Sequence, residues 1–133
     1  MWQPISALPT IAMLVDEGLR DARERYATLL EAKPKPHVLD DATIARVKRV
    51  NGEGLAYCDV YEEQLRRWRS ARLTDVQRRQ VARLKSATRE LRLVLSQILA
   101  LAAELAGGTI ERQLSKSDAE IGVEYLLRAH PRG

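Results

Sequence analysis

The sequence predicts an all-α protein: an antiparallel up-down-up bundle of three long helices with two short C-terminal helices. Three observations predict it. Apolar residues recur at alternating steps of three and four through three long windows, which is the spacing of one helical face. Helix-start signatures stand at the head of these windows. Seven Gly and five Pro among 133 residues are too few for the many turns of a β-sandwich. The length suits a single domain over residues 1–133, and an apolar fraction of 45% is too high for a disordered chain.

The first helix is expected over about residues 8–32. Pro9 suits a first-turn position, where its missing N–H has no partner to lose. Leu8, Ile11, Val15, Leu19, Ala22, Tyr26 and Leu29 mark its core face. Asp16 with Arg20, and Asp21 with Arg25, have the i,i+4 spacing of favourable pairs. Lys33-Pro34-Lys35-Pro36 should end this helix and run as an extended linker.

A second helix is expected over about residues 41–71, capped by Asp40 or Asp41. Ile44, Val47, Asn51, Gly54, Cys58, Tyr61, Leu65 and Trp68 keep one register throughout. Asn51-Gly52-Glu53-Gly54 has the composition of a turn, yet the register crosses it without a slip. One helix with a neighbour packed closely over Gly54 therefore accounts for the pattern better than two helices and a tight turn. Asn51 on a core stripe suits a residue that fixes helix register, or else a residue at the solvent margin beside Gly52.

Thr74 and Gln77 make a capping box for a third helix over about residues 75–106. Its stripe is Leu84, Ala87, Leu91, Val94, Ile98, Leu101 and Leu105. Leu93, Leu95, Leu99 and Ala102 widen the apolar face, which suggests self-association as one way to cover it. Gly107-Gly108 reads as a left-handed C-terminal stop. Two short helices should follow, over about residues 109–116 and 118–128, the latter opened by Ser117 and Glu120.

Charge is unevenly spread. Residues 43–92 hold 13 basic and 6 acidic side chains, a net of +7 against +4 for the whole chain. Most cations are Arg, whose planar fork suits phosphate and carboxylate. Glu63 and Glu62 have pairing distance to Arg66 and Arg67, and Asp75 to Arg79. Arg78, Lys85, Arg89 and Arg92 have no acid at such spacing and share one helix face, a stripe about 20 Å long. Such a face fits a phosphate backbone or an acidic protein surface. The alternative is that it is merely solvated, or meets Glu17, Glu24 or Glu31 of the first helix.

The residues argue against catalysis. Of two histidines, His37 lies in the Pro-rich linker and His130 in the tail, without the Glu-x-x-His pattern of a metal bundle. Cys58 falls on a core stripe, where it behaves as a small hydrophobe. No Gly-rich phosphate loop follows a strand. No enzyme activity, cofactor or metal is expected. The most apolar run, Leu93 to Ala106, is short for a bilayer and contains Glu104. With no visible signal sequence, the reading is a cytoplasmic protein without a membrane span. The expected function is that of a non-enzymatic helical-bundle interaction protein, binding a protein partner or itself. The alternative is a nucleic-acid-associated accessory protein that makes non-specific phosphate contacts through the basic face.

Overall fold

Three long helices make up most of the chain: α1 (Leu8–Glu31), α2 (Asp41–Arg69) and α3 (Asp75–Leu105). The structure, a computed structural model, describes residues 2–115 together with 122, 123 and 126, and among the described residues there is no strand. The protein is all-α, and α3 packs along both α1 and α2.

The helix starts follow their capping chemistry. Asp40 accepts from the Thr43 N–H at 2.7 Å, and this bond to the charged form holds its carboxyl below the usual range. Thr74 and Gln77 form the reciprocal capping box, at 2.9 and 3.1 Å. Helix α2 runs unbroken through Asn51-Gly52-Glu53-Gly54. The reason lies opposite Gly54. A Cβ at this position would stand 3.0 Å from Leu95 Cδ1, so the absent side chain lets α3 approach closely.

Two buried clusters fill the interior. One gathers Leu8, Ala12, Val15, Leu65, Trp68, Val81 and Leu84. The other includes Leu19, Ala22, Leu29, Ile44, Cys58, Leu91, Leu95, Ile98 and Leu101. Tyr61 and Ala87 pack against both. Ion pairs cross between helices as well: Asp16 with Arg83 at 2.9 Å, Arg23 with Glu90, and Arg92 with Glu62 and Asp59.

Several local expectations are corrected. The Lys33–Pro36 stretch is not extended. It turns over residues 32–34 and continues as a 3-10 turn at Pro36–Val38. The Lys33 and Lys35 N–H groups donate to the Leu30 and Ala32 carbonyls, which satisfies acceptors left free at a helix end. Gly107 and Gly108 are not left-handed, because no described residue has positive φ. They belong to a 3-10 turn, Ala106–Gly108, and the constraint on Gly108 is space. A Cβ there would lie 2.6 Å from Pro36 Cγ. Asp16 pairs across to Arg83 instead of with Arg20, and Asp75 pairs with Arg78 instead of Arg79.

Beyond this turn the chain is fastened to the start of α2. The Ile110 N–H donates to the Leu39 carbonyl at 2.8 Å, and the Thr109 hydroxyl donates to Asp41 at 2.6 Å. The Asp41 N–H donates to Glu111 at 2.9 Å. Residues 110–115 are helical. The helix expected over 118–128 falls outside the described residues, save for 122, 123 and 126. At the other terminus Gln3 lies on α2. Its N–H donates to Gln64 Oε1 at 2.7 Å, and its carbonyl accepts from Trp68 Nε1 at 3.0 Å.

The helical stretch Asp75–Ser115 is the one among the described residues long and apolar enough to cross a membrane by length and composition, and about a third of its apolar window is buried. In this fold its Leu91, Leu95, Ile98, Leu101 and Leu105 side chains are buried in the bundle.

Candidate functional site

The basic face read from α3 alone divides in two. Arg78 donates to Asp75 at 3.0 Å and to the Leu73 carbonyl at 3.4 Å, which ties it to the start of its own helix. Arg92 donates from Nε to Glu62 at 3.0 Å and from a terminal nitrogen to Asp59. These bonds to carboxylates raise the Arg92 pKa above its ordinary value. Arg78 and Arg92 are thus neutralised where they stand.

Lys85 and Arg89 are not. They face α2 across a groove of about 350 Å³ lined by Glu62, Leu65, Arg66, Arg69, Lys85 and Arg89. Leu65 is buried and forms its apolar floor. Arg66 is held by Glu63 through two donors. Glu63 also accepts from Arg67 at 3.1 Å, and the Arg66 hydrogen bond holds its carboxyl below the usual range. Arg69, Lys85 and Arg89 are exposed and have no acid within ion-pair distance among the described residues. The arrangement is three unneutralised cations around an apolar floor, with Glu62 at the rim engaged by Arg92. Such a groove can hold anionic groups while packing an apolar side chain between them.

Arg66 and Arg69 were not part of the face read from the sequence. Their three-residue spacing on α2 is visible there, but that they stand opposite Lys85 and Arg89 is a matter of helix pairing. One acid of α1, Asp16, does reach α3, at Arg83, and the α3 acid Glu90 reaches back to Arg23 of α1. Glu17, Asp21, Glu24 and Glu31 do not. They are exposed, lie on one side of α1 by steps of four, three and seven, and have no cation within ion-pair distance among the described residues.

Asn51 is 1% exposed, so of the two sequence readings it takes the core position. Its amide nitrogen donates to the Val47 carbonyl at 2.7 Å. Cys58 is fully buried, and burial pushes its thiol pKa up. His37 lies in the 3-10 turn ahead of α2. Among the described residues no three His, Cys, Asp or Glu side chains are grouped to hold a metal ion.

The chain matches no known protein family, and neither a curated protein nor a solved structure is significantly similar to it.

Proposed function

We propose that the protein is a non-enzymatic interaction module that docks an acidic helix or segment of a protein partner in the groove between α2 and α3. The observation that carries this reading is the set of unneutralised cations, Arg69, Lys85 and Arg89, around the buried Leu65. An acidic amphipathic segment offers what that groove lacks: carboxylates for the cations and an apolar side chain for the floor. One acidic helix face of this kind belongs to the chain itself, the Glu17, Asp21, Glu24 and Glu31 stripe of α1. A second copy therefore counts among the partners the groove fits.

The reading assumes an up-down-up order of the helices, which the cross-helix pairs support. Asp16 with Arg83 and Arg23 with Glu90 rise together along α1 and α3. Glu62 with Arg92, Gly54 against Leu95 and Asp41 with Thr109 run in opposite senses along α2 and the α3 side.

A second reading is a nucleic-acid accessory role with non-specific phosphate contacts. It is favoured by Arg72 and Arg79, which are exposed and also have no acid within ion-pair distance among the described residues. Fluorescence anisotropy separates the two. A labelled acidic amphipathic peptide and labelled single- and double-stranded oligonucleotides are titrated with protein at several salt concentrations. The protein-partner reading predicts peptide binding that outlasts moderate salt, because the apolar contact is not screened. The nucleic-acid reading predicts oligonucleotide binding with a steep inverse salt dependence. Failure of all three ligands at low salt contradicts both.

A further inference from the structure

The N-terminal arm, the link between α2 and α3 and the first turns of α3 meet at one end of the bundle. Residues 2–9 carry no charged side chain there, and residues 66–79 carry six arginines against one acid, Asp75. Arg66 and Arg67 hold Glu63, Arg78 holds Asp75, and Arg69 borders the cationic groove. Arg72 and Arg79 are exposed and have no acid within ion-pair distance among the described residues. Apolar side chains stand among these cations. Val76 is 67% exposed and Trp2 40%. Val76 and Arg79 share with Ile5, Leu8 and Pro9 a surface depression of about 650 Å³, and Arg83 at its edge is held by Asp16. The arm is fixed in place: the Gln3 N–H and carbonyl are both bonded to α2, and the Arg67 guanidinium lies over the Trp2 ring, 4.5 Å from its centroid.

We propose that this end of the bundle docks on the surface of an anionic lipid bilayer, with Arg72 and Arg79 on lipid phosphates and Trp2 and Val76 in the interfacial layer. Charge complementarity selects the partner: cations without acids are drawn to an anionic leaflet, and the guanidinium fork fits phosphate. The apolar side chains select a bilayer among anionic partners. A Trp ring settles at headgroup level, where one edge meets acyl chains and the other meets water. A nucleic-acid backbone would use the same cations but leave Val76 and the depression beside it without a partner. Base stacking needs an open aromatic face, and Arg67 covers one face of Trp2. The surface lies beyond the cationic groove, and Arg72 and Arg79 are not among the residues that line that groove.

The test floats the full-length protein with vesicles of phosphatidylcholine alone and of phosphatidylcholine mixed with phosphatidylglycerol, at low salt. The protein is expected to float with the mixed vesicles and to stay behind with phosphatidylcholine alone. The Arg72→Gln, Arg79→Gln double variant should bind the mixed vesicles about thirtyfold more weakly, from about a decade or less per arginine at an anionic surface. Trp2→Ala should also weaken binding. In Trp68→Phe, which leaves Trp2 as the sole tryptophan, emission should shift to the blue on the mixed vesicles. Flotation of the wild-type protein and of Trp2→Ala keeps the test valid if Trp68→Phe does not fold. Absence of the wild-type protein from the mixed vesicles overturns the proposal, as does binding that Trp2→Ala and the double arginine variant leave unchanged. If labelled oligonucleotides bind through Arg72 and Arg79 while the vesicles do not, the surface belongs to nucleic acid and the proposal fails. Binding of the acidic amphipathic peptide in the groove is read separately and is expected to be the same in the double arginine variant.

Discussion

Arg92 Nε donates to the Glu62 carboxylate at 3.0 Å, across the seam between α3 and α2. That bond changes what the basic face is. Arg92 belongs to the seam, and the groove's cations without an ion-pair partner among the described residues are Arg69, Lys85 and Arg89, drawn from two helices. Arg92→Ala is therefore expected to lower stability, and to weaken binding of an acidic partner only modestly, through the Glu62 carboxylate it leaves without its cation at the rim of the groove. The cost should be about 0.2–1 kcal/mol, since both acids of the pair are substantially exposed and screened by solvent. Chemical denaturation measures the first effect, and anisotropy the second.

The two glycines of α2 should respond in opposite directions. A Cβ at Gly52 meets nothing within 4 Å, so Gly52→Ala should stabilise by about 0.5–1 kcal/mol, the helix-propensity difference. Gly54 faces the buried Leu95 side chain. Gly54→Leu should cost about 1–3 kcal/mol through overpacking. Thermal denaturation of both variants checks the pair, and an unchanged midpoint for Gly54→Leu would remove the close contact from the account.

At the end of α3, Gly108→Ala should destabilise the molecule, because its Cβ would enter the Pro36 ring at 2.6 Å. The same substitution at Gly107, with open space around it, should be tolerated. Comparing the two by thermal denaturation separates a steric requirement from a general need for glycine in the turn.

Acid sensitivity should trace in part to the α2 cap. The Asp40 carboxyl is held below its ordinary value by the Thr43 hydrogen bond. A group with a depressed folded pKa stabilises above its unfolded value and loses that contribution as pH falls through the folded one. Asp40→Asn should therefore show a shallower loss of stability than the wild-type protein below about pH 4. Denaturation midpoints measured across that range provide the comparison.

Cys58 should react slowly with a thiol reagent until denaturant is added. It is fully buried and its thiol is pushed up by burial, so little thiolate is available to attack. Rapid labelling of the native protein would return Cys58 to consideration as a reactive group.

Much of the helical skeleton can be read in the sequence because the interactions that form it are local. The Thr74–Gln77 box, the Asp40 cap and the unbroken register through Gly54 all lie within a few turns of one helix. What escapes the sequence depends on which residues meet across space. Asp16 has a suitable partner in Arg20 by spacing, but its bond goes to Arg83, 67 positions away. Gly108 reads as a left-handed stop because that is the common local reason for glycine at a helix end, whereas its reason here is the Pro36 ring. Spacing alone puts Arg78, Lys85, Arg89 and Arg92 on one face of α3; that Arg78 is held by Asp75 three residues before it, and Arg92 by Glu62 and Asp59 of α2, shows only once the side chains and the neighbouring helix are in place. Arg66 and Arg69 complete the groove only once α2 lies beside α3.

The most direct measurement of the central claim compares binding of the acidic amphipathic peptide to the wild-type protein, to the Arg69→Glu, Lys85→Glu, Arg89→Glu triple variant and to Arg78→Ala. Helicity is followed by circular dichroism in each. The groove account predicts that the triple variant loses binding with its helicity intact, while Arg78→Ala binds like the wild-type protein. Undiminished binding by a folded triple variant would contradict it.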